Sequence, residues 1–114
     1  MGGIITNMTY DNKNFSLSNS AKREYLNTVI SKAYKILHLI EEENITAYSP
    51  KPFITGVLFE LNAANDLYDG KLVSIIIKLK GIREGYKDMP FSDIKKQIFE
   101  IKRMVNHLLK SLED

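Results

Sequence analysis

His38 stands three and four residues ahead of Glu41 and Glu42. On a helix that spacing sets an imidazole and two carboxylates on one face, the donor types a divalent transition metal takes. No residue nearby supplies a fourth ligand or holds the imidazole in place, so the three are read as a surface ion-pair cluster and no metal site is assigned. His107 follows Arg103 by four positions. The Arg…His ribonuclease motif of the HEPN helical family places four to six residues between the two, where this chain has three, so that chemistry is not assigned either. Asp66 and Asp69 form a carboxylate pair, but both adjoin Gly70 and turn formation accounts for them. The run Gly81-Ile82-Arg83-Glu84-Gly85 lacks the Gly-Lys-Ser/Thr ending of a phosphate loop, and no strand precedes it. Cysteine is absent, which removes thiolate nucleophiles, thiolate metal ligands and disulfides. The expectation is therefore a protein that is not an enzyme, has no cofactor, and acts by binding.

The elements that must carry any binding surface are legible as periodicities. Phe91, Ile94, Ile98, Ile101, Val105, Leu108 and Leu112 recur in alternating steps of three and four, a single apolar seam along one helix. Such a seam requires a partner. Leu26, Ile30, Ala33, Leu37 and Ile40 repeat the rhythm early in the chain and are expected to meet it. The first helix is predicted from about Ser20 to Glu43, with Asn19 or Ser20 as its cap and Asn44 near its stop.

Between these rods, Pro50 and Pro52 open a second helix, because the first turn's N-H groups need no partner within the helix. Ile54, Val57, Leu58, Leu61, Ala64 and Tyr68 form its apolar stripe, Asp69-Gly70 closes it, and Gly56 and Ala63 offer a neighbouring face for close helix approach. Residues 71–84 fit two periods. Leu72, Ile75, Ile76, Leu79, Ile82 and Tyr86 have helical spacing, while Val73, Ile75, Ile77 and Leu79 alternate as in a strand. A helix is predicted, since a lone strand leaves its backbone unpaired. Asp88-Met89-Pro90 turns the chain into the last helix, with Asp88 or Ser92 as candidate cap.

The predicted fold class is thus all-α: an antiparallel up-down four-helix bundle over residues 20–114, preceded by a short irregular arm over residues 1–19. The arm fits the myristoylation pattern at Gly2 and Thr6, and Ile4 to Tyr10 alternate in a way that permits a short strand; a plain leader is the expectation. At 114 residues the chain is one domain able to bury a core of its own. The lack of cysteine suggests a reducing, cytoplasmic setting, and no run of the sequence is apolar enough to span a membrane.

Charge is placed against the helix dipoles at the ends of the first helix: Lys22 and Arg23 at its start, Glu41, Glu42 and Glu43 at its finish. An antiparallel last helix would offset both ends, bringing Glu113 and Asp114 to the cations and Lys95 and Lys96 to the glutamates. Tyr25, Tyr34 and Phe99 fall off the main seams, so they either pack on the middle helices, which is the expectation, or meet a second copy of the chain. With Glu41, Glu42 and Glu43 they are the candidate partner-binding residues, and the expected partner is another protein. The alternative is nucleic-acid or nucleotide binding through Lys95, Lys96, Lys102, Arg103 and Lys110 on the outer face of the last helix. A net charge of +2 decides neither.

One resemblance bears on the binding class. In its size, and in the Lys32-Ala33-Tyr34 helix followed by the helix led by Pro50-Lys51-Pro52, over Lys32 to Ile54, the chain resembles the immunity proteins for pediocin-type bacteriocins. The likeness rests on that stretch alone and the long last helix has no counterpart in it. It implies an adaptor, inhibitor or immunity type of role and carries over no site.

Overall fold

A computed structural model describes residues 17–112. Helix α1 spans Asn19–Thr46, α2 Lys51–Ala64, α3 Val73–Gly85 and α4 Phe91–Ser111, with single 3-10 turns at Asn65–Tyr68 and Tyr86–Asp88. The myristoylation pattern, the candidate strand at Ile4 to Tyr10, and Glu113 and Asp114 lie outside the described residues.

The start of α1 is set one residue before Asn19 and two before Ser20, the expected caps. Ser18 is extended and its Oγ accepts the Ala21 N-H at 3.1 Å, satisfying one of the helix's unpaired donors. The helix runs past Asn44 to Thr46 and ends where Ala47 adopts a left-handed conformation (φ 63°), its N-H donating to the Glu43 carbonyl at 2.8 Å. A side chain at that conformation is costly and glycine is not. Ala47→Gly is therefore expected to raise the unfolding free energy by about 0.5–1 kcal/mol, read as a higher denaturant midpoint with an unchanged slope.

Pro50 caps α2 and Pro52 sits in its first turn, as their missing N-H groups dictate. Ile54, Val57, Leu58, Leu61 and Tyr68 are buried along its inner stripe and Ala64 packs at the edge. Two consecutive left-handed residues, Asp69 (φ 56°) and Gly70 (φ 75°), reverse the chain. Asn65 latches this turn: its carbonyl accepts from the Gly70 N-H and its side-chain oxygen from the Leu72 N-H at 3.0 Å. Gly56 and Ala63 are exposed and a Cβ added at Gly56 would meet nothing, so no helix uses the close approach they offered.

Residues 73–85 are helical. Leu72, Ile75, Ile76, Leu79, Ile82 and Tyr86 are all buried, whereas Val73 and Ile77, which gave the strand-like alternation, face outward. Pro90, extended, begins α4, and its carbonyl accepts from Asp93 and Ile94. Neither Asp88 nor Ser92 caps it.

Helices α1 and α4 pack along their length and run in opposite directions, with α2 against α1 and α3 closing the bundle against α2 and α4. The direction is fixed at both ends: Arg23 Nη1 donates to the Leu112 carbonyl at 2.9 Å, and Ile40 and Glu43 share a groove with Phe91 and Ile94. The core is continuous through all four helices. Along α1 its deepest residues are Leu26, Val29, Ala33 and Ile36, while Ile30, Leu37 and Ile40 are half-buried, because this helix packs on two neighbours and its buried stripe is turned accordingly.

Among the described residues the misplaced charges are offset by partners other than Lys95 and Lys96, and Glu113 and Asp114, expected beside Lys22 and Arg23, lie outside them. Arg23 and Asn19 engage the last carbonyl of α4, the negative end of that helix's dipole, so a cation poorly placed on α1 is well placed on its neighbour. At the opposite end Glu43 accepts the Tyr86 hydroxyl at 2.8 Å. Lys95 and Lys96 do not reach the glutamates: ion pairs among the described residues are Lys32–Glu60, Arg83–Glu84 and Arg103–Glu100.

Candidate functional site

The antiparallel pairing of α1 and α4 brings together two aromatics that are 65 positions apart in the chain. Tyr34 and Phe99 meet edge-on, ring centroids 6.4 Å apart and planes at 78°, the geometry their quadrupoles favour. They remain 36% and 48% exposed, so the pair holds its shape without being covered. Lys102 sets its ammonium 5.8 Å from the Tyr34 ring, a contact worth about 0.5–1 kcal/mol at an exposed site. The arrangement is a rigid apolar step with a cationic edge.

Tyr25 lies elsewhere. Its ring packs against Tyr68 at 6.2 Å, and the Tyr68 hydroxyl donates to the Lys22 carbonyl at 3.0 Å. The Tyr25 hydroxyl is buried and has no hydrogen-bond partner among the described residues. Burial, then the nearby Glu60 carboxylate and Tyr68, push its pKa up to about 12. This tyrosine closes the interior between α1 and the end of α2.

The acidic end of α1 divides by role. Glu43 is tied to Tyr86, and burial together with that hydrogen bond raises the Tyr86 pKa. Glu41 and Glu42 point to solvent or nearly so, and their carboxylates and the His38 imidazole come within 4.8 Å of one another. Three exposed groups on one helix could touch a cation from one side, with nothing to close the other hemisphere. Beside them a groove of about 660 Å³ has Ile40, Met89, Phe91 and Ile94 among its lining, with Glu43 and Lys87 also bordering it.

The basic residues of α4 separate onto different walls. Lys102 turns toward Tyr34, Lys96 toward a shallow depression with Lys78 and Asp93, and Arg103 and Lys110 toward a groove shared with α3. Arg103 also binds Glu100 at 2.7 Å. Lys96, Arg103 and Lys110 thus keep to the α3 side at heptad steps, while Lys102 lies on the α1 side.

Sequence reasoning passed over exposed apolar side chains on α2 and α3, where Phe59, Val73 and Ile77 are 76%, 44% and 64% exposed. Phe59 was detectable, since it falls opposite the Ile54 to Leu61 stripe, and Pro52, Gly56, Phe59 and Ala63 repeat at four-three-four spacing with no charge among them. Among the described residues no helix is long and apolar enough to cross a membrane.

Comparison with protein families, with curated proteins and with solved structures found nothing that matches this chain.

Proposed function

We propose that this protein works by binding another protein, through the α1/α4 face on which Tyr34 and Phe99 form their edge-on pair, and carries out no reaction of its own. The observation that carries this reading is that pair: two large rings, pre-set by mutual packing and left in solvent, lose little conformational entropy when covered. Tyr and Phe in such positions are the usual anchors of an interface core. Glu41 and Glu42, on the same helix toward its end, supply a charged border that would select a partner with cations at matching positions. The resemblance over Lys32 to Ile54 supports an inhibitor or immunity type of role within this class, exercised in the cytoplasm.

The test is capture by the immobilised protein from a lysate of its host, run beside the double variant Tyr34→Ala/Phe99→Ala, with identification and intact-mass measurement of what is retained. One defined protein, or a second copy of the chain, should be held by the wild type and lost by about 30-fold or more in the variant, whose unfolding midpoint stays near the wild type's. Equal retention by both would remove this face from the account.

A further inference from the structure

Helices α3 and α4 converge on a groove of about 560 Å³, within the range of small-molecule sites, and its rim is basic. Lys71 comes from the turn ahead of α3, and Arg103, His107 and Lys110 come from one face of α4 at steps of four and three. Ser74 and Asn106 add neutral hydrogen-bonding groups from the two walls, above a floor that includes Ile75, Met104 and Leu108. Glu100 is the sole carboxylate among the lining residues and is held by Arg103 at 2.7 Å, so three cations against one anion leave the groove at +2 before His107 is counted.

We infer that this groove binds an oligophosphate, meaning inorganic pyrophosphate or the phosphate chain of a nucleotide. Lys71 from the turn ahead of α3 and Arg103 and Lys110 from α4 converge on one volume from two sides, which suits adjacent phosphates on a small molecule better than a nucleic-acid backbone, whose charges need a line of cations. Lys96, one heptad ahead of Arg103, borders the next depression along this side and lies outside the groove. No aromatic ring lines it to stack on a base, so recognition is of the phosphates, with the aliphatic floor available to whatever they are attached to. Arg103, held to Glu100 by one contact, can turn to two oxygens of a phosphate and bind them as a fork. The inference is independent of the aromatic face, from which the groove is separated by α4 itself.

The decisive experiment is titration of the full chain with pyrophosphate, ATP and a short single-stranded oligonucleotide at low salt, followed by amide NMR shifts. Saturable shifts are expected at Lys71, Ser74, Asn106 and His107 with pyrophosphate and ATP, and affinity should fall about tenfold or more in Lys71→Glu/Lys110→Glu. Lys95→Glu/Lys96→Glu should change it by no more than about twofold. Inorganic tripolyphosphate, with as many phosphates as ATP, separates the two contributions: tighter binding of ATP would assign the floor to the nucleoside, and equal affinities would assign recognition to the phosphates alone. The inference is overturned by the absence of saturable shifts up to about 10 mM ligand, by equal loss in the two charge-reversed variants, or by a preference for the oligonucleotide.

Discussion

Replacing Ile101 with alanine should lower the unfolding free energy by about 3–4 kcal/mol, the largest effect expected of any single truncation that leaves the fold intact. Ile101 is fully buried at the centre of the α4 seam, and α4 packs on both α1 and α3. Removing three carbons there forfeits their transfer free energy and leaves a cavity that neighbours on separate helices cannot jointly fill. A domain of this size has about 5–15 kcal/mol in hand, so the variant should fold but with its urea midpoint lowered by about 1.5–3 M. Ile77→Ala is the matched control. Ile77 is 64% exposed on α3, and its truncation should stay within about 0.5 kcal/mol. A large loss at Ile77 with a small one at Ile101 would mean that α3 and α4 present the opposite faces to the core.

The second large effect concerns alkaline pH. Tyr25 has its pKa pushed up to about 12 by burial, with Glu60 and Tyr68 adding to the shift, and burial also raises Tyr68 and Tyr86. The folded state therefore favours the neutral phenol more than the unfolded chain does. The sign follows: stability from the protonated hydroxyl is complete below the ordinary tyrosine value near 10 and is lost as pH rises through the folded value near 12. Two units would correspond to about 2.7 kcal/mol, but the Tyr25 ring is only half-buried, and solvent screening reduces the expected loss to about 1 kcal/mol. Tyr25→Phe removes both the titration and a buried hydroxyl without a partner among the described residues, so it should gain about 1 kcal/mol at pH 7 and flatten the decline between pH 10 and 12. Denaturant unfolding of both proteins at a series of pH values checks this. A variant less stable than the wild type at pH 7 would mean that the hydroxyl has a partner after all.

The parts of the fold that could be read in advance are those where one physical signal acts alone. The α4 seam is such a case, because a helix lying on the bundle with one face inward shows an unbroken three-four rhythm, and Ile94, Ile98, Ile101 and Val105 are all buried. Pro50 and Pro52 likewise admit one reading, since proline has few places in a helix. On α1 two neighbours compete for the same helix, and a search for a single seam finds Ile30 and Leu37 while missing the deeper Val29 and Ile36. The cap was ambiguous for a local reason: Ser18, Asn19 and Ser20 are all good capping residues, and only the extended backbone at Ser18 decides among them. Charge compensation was the least legible. Pairing by sign pointed to Lys95 and Lys96 for the glutamates, whereas the structure uses the Tyr86 hydroxyl for Glu43 and a helix-end carbonyl for Arg23, partners whose availability depends on tertiary packing. Of the candidate site residues, Tyr34 and Phe99 are brought together by helix pairing, Tyr25 is drawn inward by Tyr68, and Lys102, Arg103 and Lys110 are split between two walls of one helix. Spacing along α4 could not separate those walls, because the groove's other side begins at Lys71, in the turn ahead of a helix whose position no local pattern specifies.

The antiparallel pairing of α1 and α4 creates both the aromatic face and the ends on which Arg23 and Glu43 act, so it is the point most worth measuring. Because the chain contains no cysteine, spin labels can be introduced in pairs at exposed positions without removing native thiols. Ser92 and Lys110 lie near opposite ends of α4, about 27 Å apart at 1.5 Å per residue. Dipolar distance measurement on Glu24→Cys/Lys110→Cys and Glu24→Cys/Ser92→Cys should give a short separation for the first pair and one longer by roughly 15–25 Å for the second. The reverse order, or two equal distances, would contradict the arrangement on which the proposed binding face rests.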